Sequence, residues 1–156
     1  MKKKSKYKPK PILLDPMLYV KQSVQTMNEH SGSMILTWKL RVNVSYDALL
    51  KGEATKHDFN NLHAAINIVE SLLVICKGKD VDGSVPRATC AILEIGSRYR
   101  KGQKALRAPE IQALRDLISF HDELVGLATV KQFEDALAYA RKEIKAGRCL
   151  TDVEGI

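Results

Sequence analysis

The chain has 156 residues, of which 45% are hydrophobic, 28% charged and only 6% aromatic, and its formal net charge is +7. This is enough for one domain with a core built from Leu, Ile, Val and Ala, and it excludes the apolar-poor composition of a disordered chain. Three scattered cysteines, Cys76, Cys90 and Cys149, exclude a disulfide framework and a C-x-x-C zinc site, and they point to the reducing cytoplasm.

The charge is concentrated at one end. Lys2, Lys3, Lys4, Lys6, Lys8 and Lys10 are six of the 25 basic residues, and the remaining 19 face 18 acidic ones. The body is therefore nearly neutral. Residues 1–12, with Tyr7 among the lysines and Pro9 and Pro11 behind them, read as a flexible or extended arm, because proline disfavours both helix and sheet. Three roles stay open for it: nucleic-acid contact, a solvated tail, or binding to an anionic surface or an acidic protein. A secretion signal is not expected. Pro11, Asp15 and Pro16 interrupt the apolar run PILLDPMLYV, and no stretch approaches the ~20 apolar residues of a membrane span.

Residues 13–148 read as an all-α, single-domain bundle of five to six helices. Asp15-Pro16 opens the first, as N-cap and first helical residue. Met17, Val20, Val24 and Met27 follow at helical spacing, and His30-Ser31-Gly32-Ser33 is expected to break it. Residues 36–46 are ambiguous. Trp38, Leu40, Val42, Val44 and Tyr46 alternate with polar residues as in a strand, yet Ile35, Trp38, Val42 and Leu49 share a helical face that runs to a Gly52 C-cap. Helix is the expectation, because no second strand signal exists to pair with it.

Thr55, with Asp58 three residues on, caps the third helix, whose apolar stripe is Phe59, Leu62, Ile66, Val69, Leu73 and Cys76. The fourth begins near Ser84 to Pro86 and places Cys90, Leu93, Ile95 and Tyr99 inward. Cys76 and Cys90 are thus expected as small buried hydrophobes. Ala108-Pro109-Glu110 opens the fifth, whose stripe is Ile111, Leu114, Leu117, Ile118, His121, Leu124 and Val125. Thr129 and Gln132 form a capping box for the sixth, where Phe133, Leu137, Ala140 and Ile144 face inward. Residues 149–156 are expected to fray.

The residues that carry chemistry are few. His57 and His63 are six apart, not the four that places two ligands on one helical face. There is no phosphate-binding G-x-x-x-x-G-K-[ST] and no nucleophile motif G-x-S-x-G. His121-Asp122 matches the dipeptide of metal-dependent phosphohydrolases without their further ligands, so His121 reads as a core-edge imidazole. Neither a catalytic residue nor a metal or other cofactor is assigned. Asn60, His63, Asn67 and Glu70 form a polar stripe on the third helix, either solvated or a partner-binding face. Arg98, Arg100, Lys101, Lys104 and Arg107 form the basic cluster of the body, around Tyr99. They can complement a helix C-terminus or, with Lys2 to Lys10 and Tyr7, hold the phosphates of a nucleic acid.

Four stretches, YKPKPILLDPMLYV, LKGEATKHDFNNLHAAINIVESL, ALRAPEIQALRDLISFHDEL and TVKQFEDALAYARKEIKAG, resemble a family of small, mostly uncharacterised proteins encoded on proteobacterial prophages and other mobile elements. The shared features are the basic, Pro-containing start, the G-x-A-T-x-x-D opener from Gly52 to Asp58, Asn67, and the pair His121-Asp122. The resemblance implies a phage or plasmid accessory protein of the bacterial cytoplasm, and it carries no established activity with it. The combined expectation is a non-catalytic binding protein that contacts nucleic acid or a nucleoprotein. The alternative is an inhibitor of a host defence factor acting through a helix face, and the third reading is a metal-dependent phosphate enzyme. No membrane partner is expected, and narrow apolar stripes are compatible with a homodimer.

Overall fold

A computed structural model of the chain describes residues 23–151, the side chains of residues 30 and 31 excepted. The expected arm, the Asp15-Pro16 helix start, and residues 152–156 lie outside the described residues. Five helices pack within them: α1 (Met27–Leu50), α2 (Lys56–Ile75), α3 (Ser84–Tyr99), α4 (Ala108–Leu127) and α5 (Val130–Lys145). The protein is an all-α bundle. Among the described residues the only bridge of β type joins Thr26 to Thr129.

The expected break at His30–Ser33 does not occur, and α1 runs straight through it. A mid-helix glycine costs only about 1 kcal/mol. Burial of Met27 on one side and Ile35 on the other outweighs that cost. The true start is Thr26, whose backbone N–H donates to Glu29 Oε2 at 3.0 Å. The helix reading of 36–46 holds. The period of two arises because α1 is apolar on two sides: Ile35, Val42 and Leu49 are buried, whereas Leu36, Leu40 and Val44 point to solvent. Gly52 ends α1 at φ +72°. Its N–H donates to Leu49 O and the Glu53 N–H to Ala48 O, an arrangement that needs the left-handed backbone glycine adopts freely.

Helix α2 is the central element and touches the other four. One apolar cluster joins Leu49, Phe59, Leu62, Ile66, Ile92, Ile95, Leu114 and Leu117. A second joins Met27, Ile35, Leu72, Val125, Val130 and Phe133 at the other end of α2. The start of α1 is stitched to the α4–α5 corner by Met27 N–H to Ala128 O and Val130 N–H to Gln25 O.

Four inward assignments are corrected, those of Cys76, Cys90, Leu93 and Ile144. Cys76 and Cys90 are exposed, and Leu93 is half exposed. Cys76 is the cap residue just beyond the last turn of α2. On α3 the buried stripe is Val85, Ala88, Ile92, Ile95 and Tyr99, rotated from the one that Cys90 and Leu93 define. Val24 and Ile144 are likewise largely outside the core.

Candidate functional site

The basic cluster lies where α3 turns into α4, and its first member is already engaged. Arg98 Nη1 donates to Glu110 Oε1 at 2.7 Å and Nη2 to Glu110 Oε2. The two side chains are only 16% and 6% exposed. Glu110 Oε2 also accepts the Arg107 N–H at 2.9 Å, which caps α4. Burial works to raise the Glu110 carboxyl, but the Arg98 fork and the capping N–H outweigh it and hold the group below its ordinary value. Arg98 is therefore a staple between two helix ends. Arg107 reaches Glu94 at 3.7 Å across exposed surface. Lys104 Nζ stands 6.0 Å from the centre of the Tyr99 ring, at the outer limit of a cation–π contact. Arg100 and Lys101 are exposed in the turn that follows α3.

The polar stripe of α2 is not a solvated face. His63 and Asn67 are buried, and they hold the chain's own segment after α5. Asn67 Nδ2 donates to Leu150 O at 2.8 Å, and the Leu150 N–H donates back to Asn67 Oδ1 at 3.2 Å. His63 Nδ1 lies 2.8 Å from Thr151 O, which assigns a proton to that nitrogen because a carbonyl only accepts. Residues expected to fray are thus clamped as far as Thr151. Glu70 stays exposed, 4.0 Å from Cys149 Sγ.

His121 is fully buried on α4. Its Nδ1 lies 3.0 Å from Asp122 Oδ1, and its ring packs 6.0 Å from that of Trp38. Among the described residues its Nε2 has no hydrogen-bond partner. It lines a cavity of about 40 Å³ with Trp38, Asn61 and Ala65. Burial lowers its pKa, and the Asp122 carboxylate opposes this only in part. The imidazole is therefore neutral at pH 7, with Nδ1 carrying the proton toward Asp122. The sign of the linkage follows. The unfolded chain takes up this proton near pH 6.5 and the native one does not, so stability falls as the pH drops below about 6.5. Urea titrations from pH 7 to 5 are expected to show that loss in the native chain and a flatter profile in His121→Leu. An unchanged slope in the variant would assign the acid sensitivity elsewhere.

No family model, no curated protein and no solved structure matches this chain.

A cleft of about 900 Å³ lies where the loop before α3 faces α4, between Asp80, Asp82, Arg87, Asp116, Phe120 and Glu123. Sequence reasoning missed it, since its lining comes from segments some 40 residues apart without any motif. Asp80 is committed to structure there: its oxygens accept the Ser84 and Val85 N–H groups, each at 2.8 Å, and so cap α3. Arg87 pairs with Asp116 at 3.5 Å. Among the described residues no three His, Cys, Asp or Glu side chains gather as metal ligands would, and no helix is long and apolar enough to cross a membrane.

Proposed function

We propose that the protein is a non-catalytic accessory binding protein that contacts nucleic acid, or a nucleoprotein, through its lysine-rich N-terminus. The observation that carries this reading is the segregation of charge. Six lysines and no acid occupy the first ten positions, ahead of a body with 19 basic and 18 acidic residues. Within the body, Arg98 is tied to Glu110; Arg100, Lys101, Lys104 and Arg107, the last also 3.7 Å from Glu94, are the auxiliary contacts. Phosphate neutralisation by lysine releases counterions and makes affinity salt-dependent. The resemblance to prophage-encoded proteins supports a mobile-element setting. The stripe that would serve a protein-binding inhibitor has its two central residues, His63 and Asn67, occupied by Leu150 and Thr151, which favours the arm over that face.

Fluorescence anisotropy with labelled duplex and single-stranded DNA across a salt series tests the proposal. The full chain is expected to give a slope of log K against log salt of about −3 to −5 on duplex, near −0.9 for each phosphate neutralised. A form comprising residues 12–156 is expected to lose most of that binding. Lys101→Glu with Lys104→Glu should cost less than the truncation. Equal binding by full and truncated chains, or no binding by either at low salt, would overturn the reading.

A further inference from the structure

Helix α1 carries a second apolar stripe directly opposite the one it buries. Leu36, Leu40 and Val44 follow one another at intervals of four and are 67%, 60% and 55% exposed. Among the described residues nothing covers them. Exposed leucines scattered singly need no explanation, but a continuous row of three marks a contact surface.

The row has an internal symmetry that selects its occupant. Leu36 and Val44 lie four residues on either side of Leu40. Glu29 and Lys51 lie eleven residues on either side of it, which is three helical turns and therefore the same stripe. The charges at the two symmetric ends are opposite and both side chains are exposed; Glu29 Oε2 also accepts the Thr26 N–H, and Lys51, the cap residue just past α1, lies 3.9 Å from Asp47 across exposed surface. We propose that this face binds a second copy of the chain, with the two α1 helices antiparallel about a two-fold axis at Leu40. In that register Leu40 meets Leu40 of the second copy, each Leu36 meets a Val44, and each Glu29 faces a Lys51. A two-fold interface requires this kind of self-complementarity. The parallel arrangement would set Glu29 against Glu29 and Lys51 against Lys51. The stripe is separate from the N-terminal arm, so the pairing stands whether or not the arm binds nucleic acid.

One helix face buries less than the ~800 Å² per partner of a stable complex, so the dimer is weak, with Kd in the micromolar range. Sedimentation equilibrium of the full chain from about 5 to about 500 µM is expected to show a monomer–dimer equilibrium. Leu40→Glu should weaken it at least tenfold while leaving the helical circular-dichroism spectrum unchanged, because Leu40 faces solvent. Crosslinking reads the register. In a background with Cys76, Cys90 and Cys149 replaced by serine, Leu40→Cys is expected to form a disulfide dimer on mild oxidation. Leu36→Cys should not pair with itself, but should pair with Val44→Cys when the two are mixed. A monomer at the highest concentration would overturn the proposal, as would a dimer indifferent to Leu40→Glu or self-pairing of Leu36→Cys as fast as that of Leu40→Cys.

Discussion

Glu110→Gln is expected to destabilise the fold by about 3 kcal/mol, because breaking a buried pair from one side leaves the other charge uncompensated. The Arg98 guanidinium would remain between the end of α3 and the start of α4, facing an amide that can accept but carries no charge. The same change weakens the cap on the Arg107 N–H. For a chain of this size the loss corresponds to a drop in Tm on the order of 10 °C. Thermal and urea unfolding of the variant measure it directly. The pH dependence gives a second readout. Glu110 has its pKa lowered in the folded state, so its contribution is present above the unfolded value near 4.3 and fades as the pH falls through the folded one. In Glu110→Gln that component of acid unfolding should vanish. A loss below about 1 kcal/mol would mean that the pair behaves as an exposed one.

Asn67→Ala is the second large effect, expected to cost about 2–3 kcal/mol. The amide makes two reciprocal hydrogen bonds to Leu150, and removing it leaves the Leu150 carbonyl and N–H without those partners. It also opens space in the middle of α2, where the neighbouring residues Ile66 and Ile68 are buried. Hydrogen exchange separates this from a general loss of stability. The Leu150 amide is expected to lose its protection first, while the amides of α2 and α4 follow global unfolding. Exchange at Leu150 that matches the native chain would show that the clamp does not depend on Asn67.

Much of the architecture was legible because it is encoded locally. Thr55 with Asp58, Pro109 with Glu110, and Thr129 with Gln132 are short-range signals, and α2, α4 and α5 begin one residue after Thr55, Arg107 and Thr129. What was not legible depends on contacts far apart in the chain. Gly32 looks like a breaker until Met27 and Ile35 are seen to be anchored in the same cluster. The polar stripe of α2 looks solvated because its partners lie 83 and 88 residues away. Arg98 looks like a phosphate ligand because Glu110, twelve positions on, is brought to it only by the α3–α4 turn. The alternation in α1 misleads for a different reason: a helix apolar on two opposite sides reads like a strand. His121 lies fully inside the core rather than at its edge, which depends on α1 bringing Trp38 against it; its bond to Asp122 is local in sequence.

The clamp on α2 sets an order on how the chain matures. During synthesis α1 to α4 leave the ribosome first and can begin to pack around α2. His63 and Asn67 are part of that packing from the outset, yet Thr151 and Leu150 reach them last. Until then His63 and Asn67 lack those bonds. A chain that stops before residue 150 therefore lacks a tie at its centre that a longer one has. Limited proteolysis of a chain cut before Leu150 is correspondingly expected to proceed faster than that of one that contains the clamp.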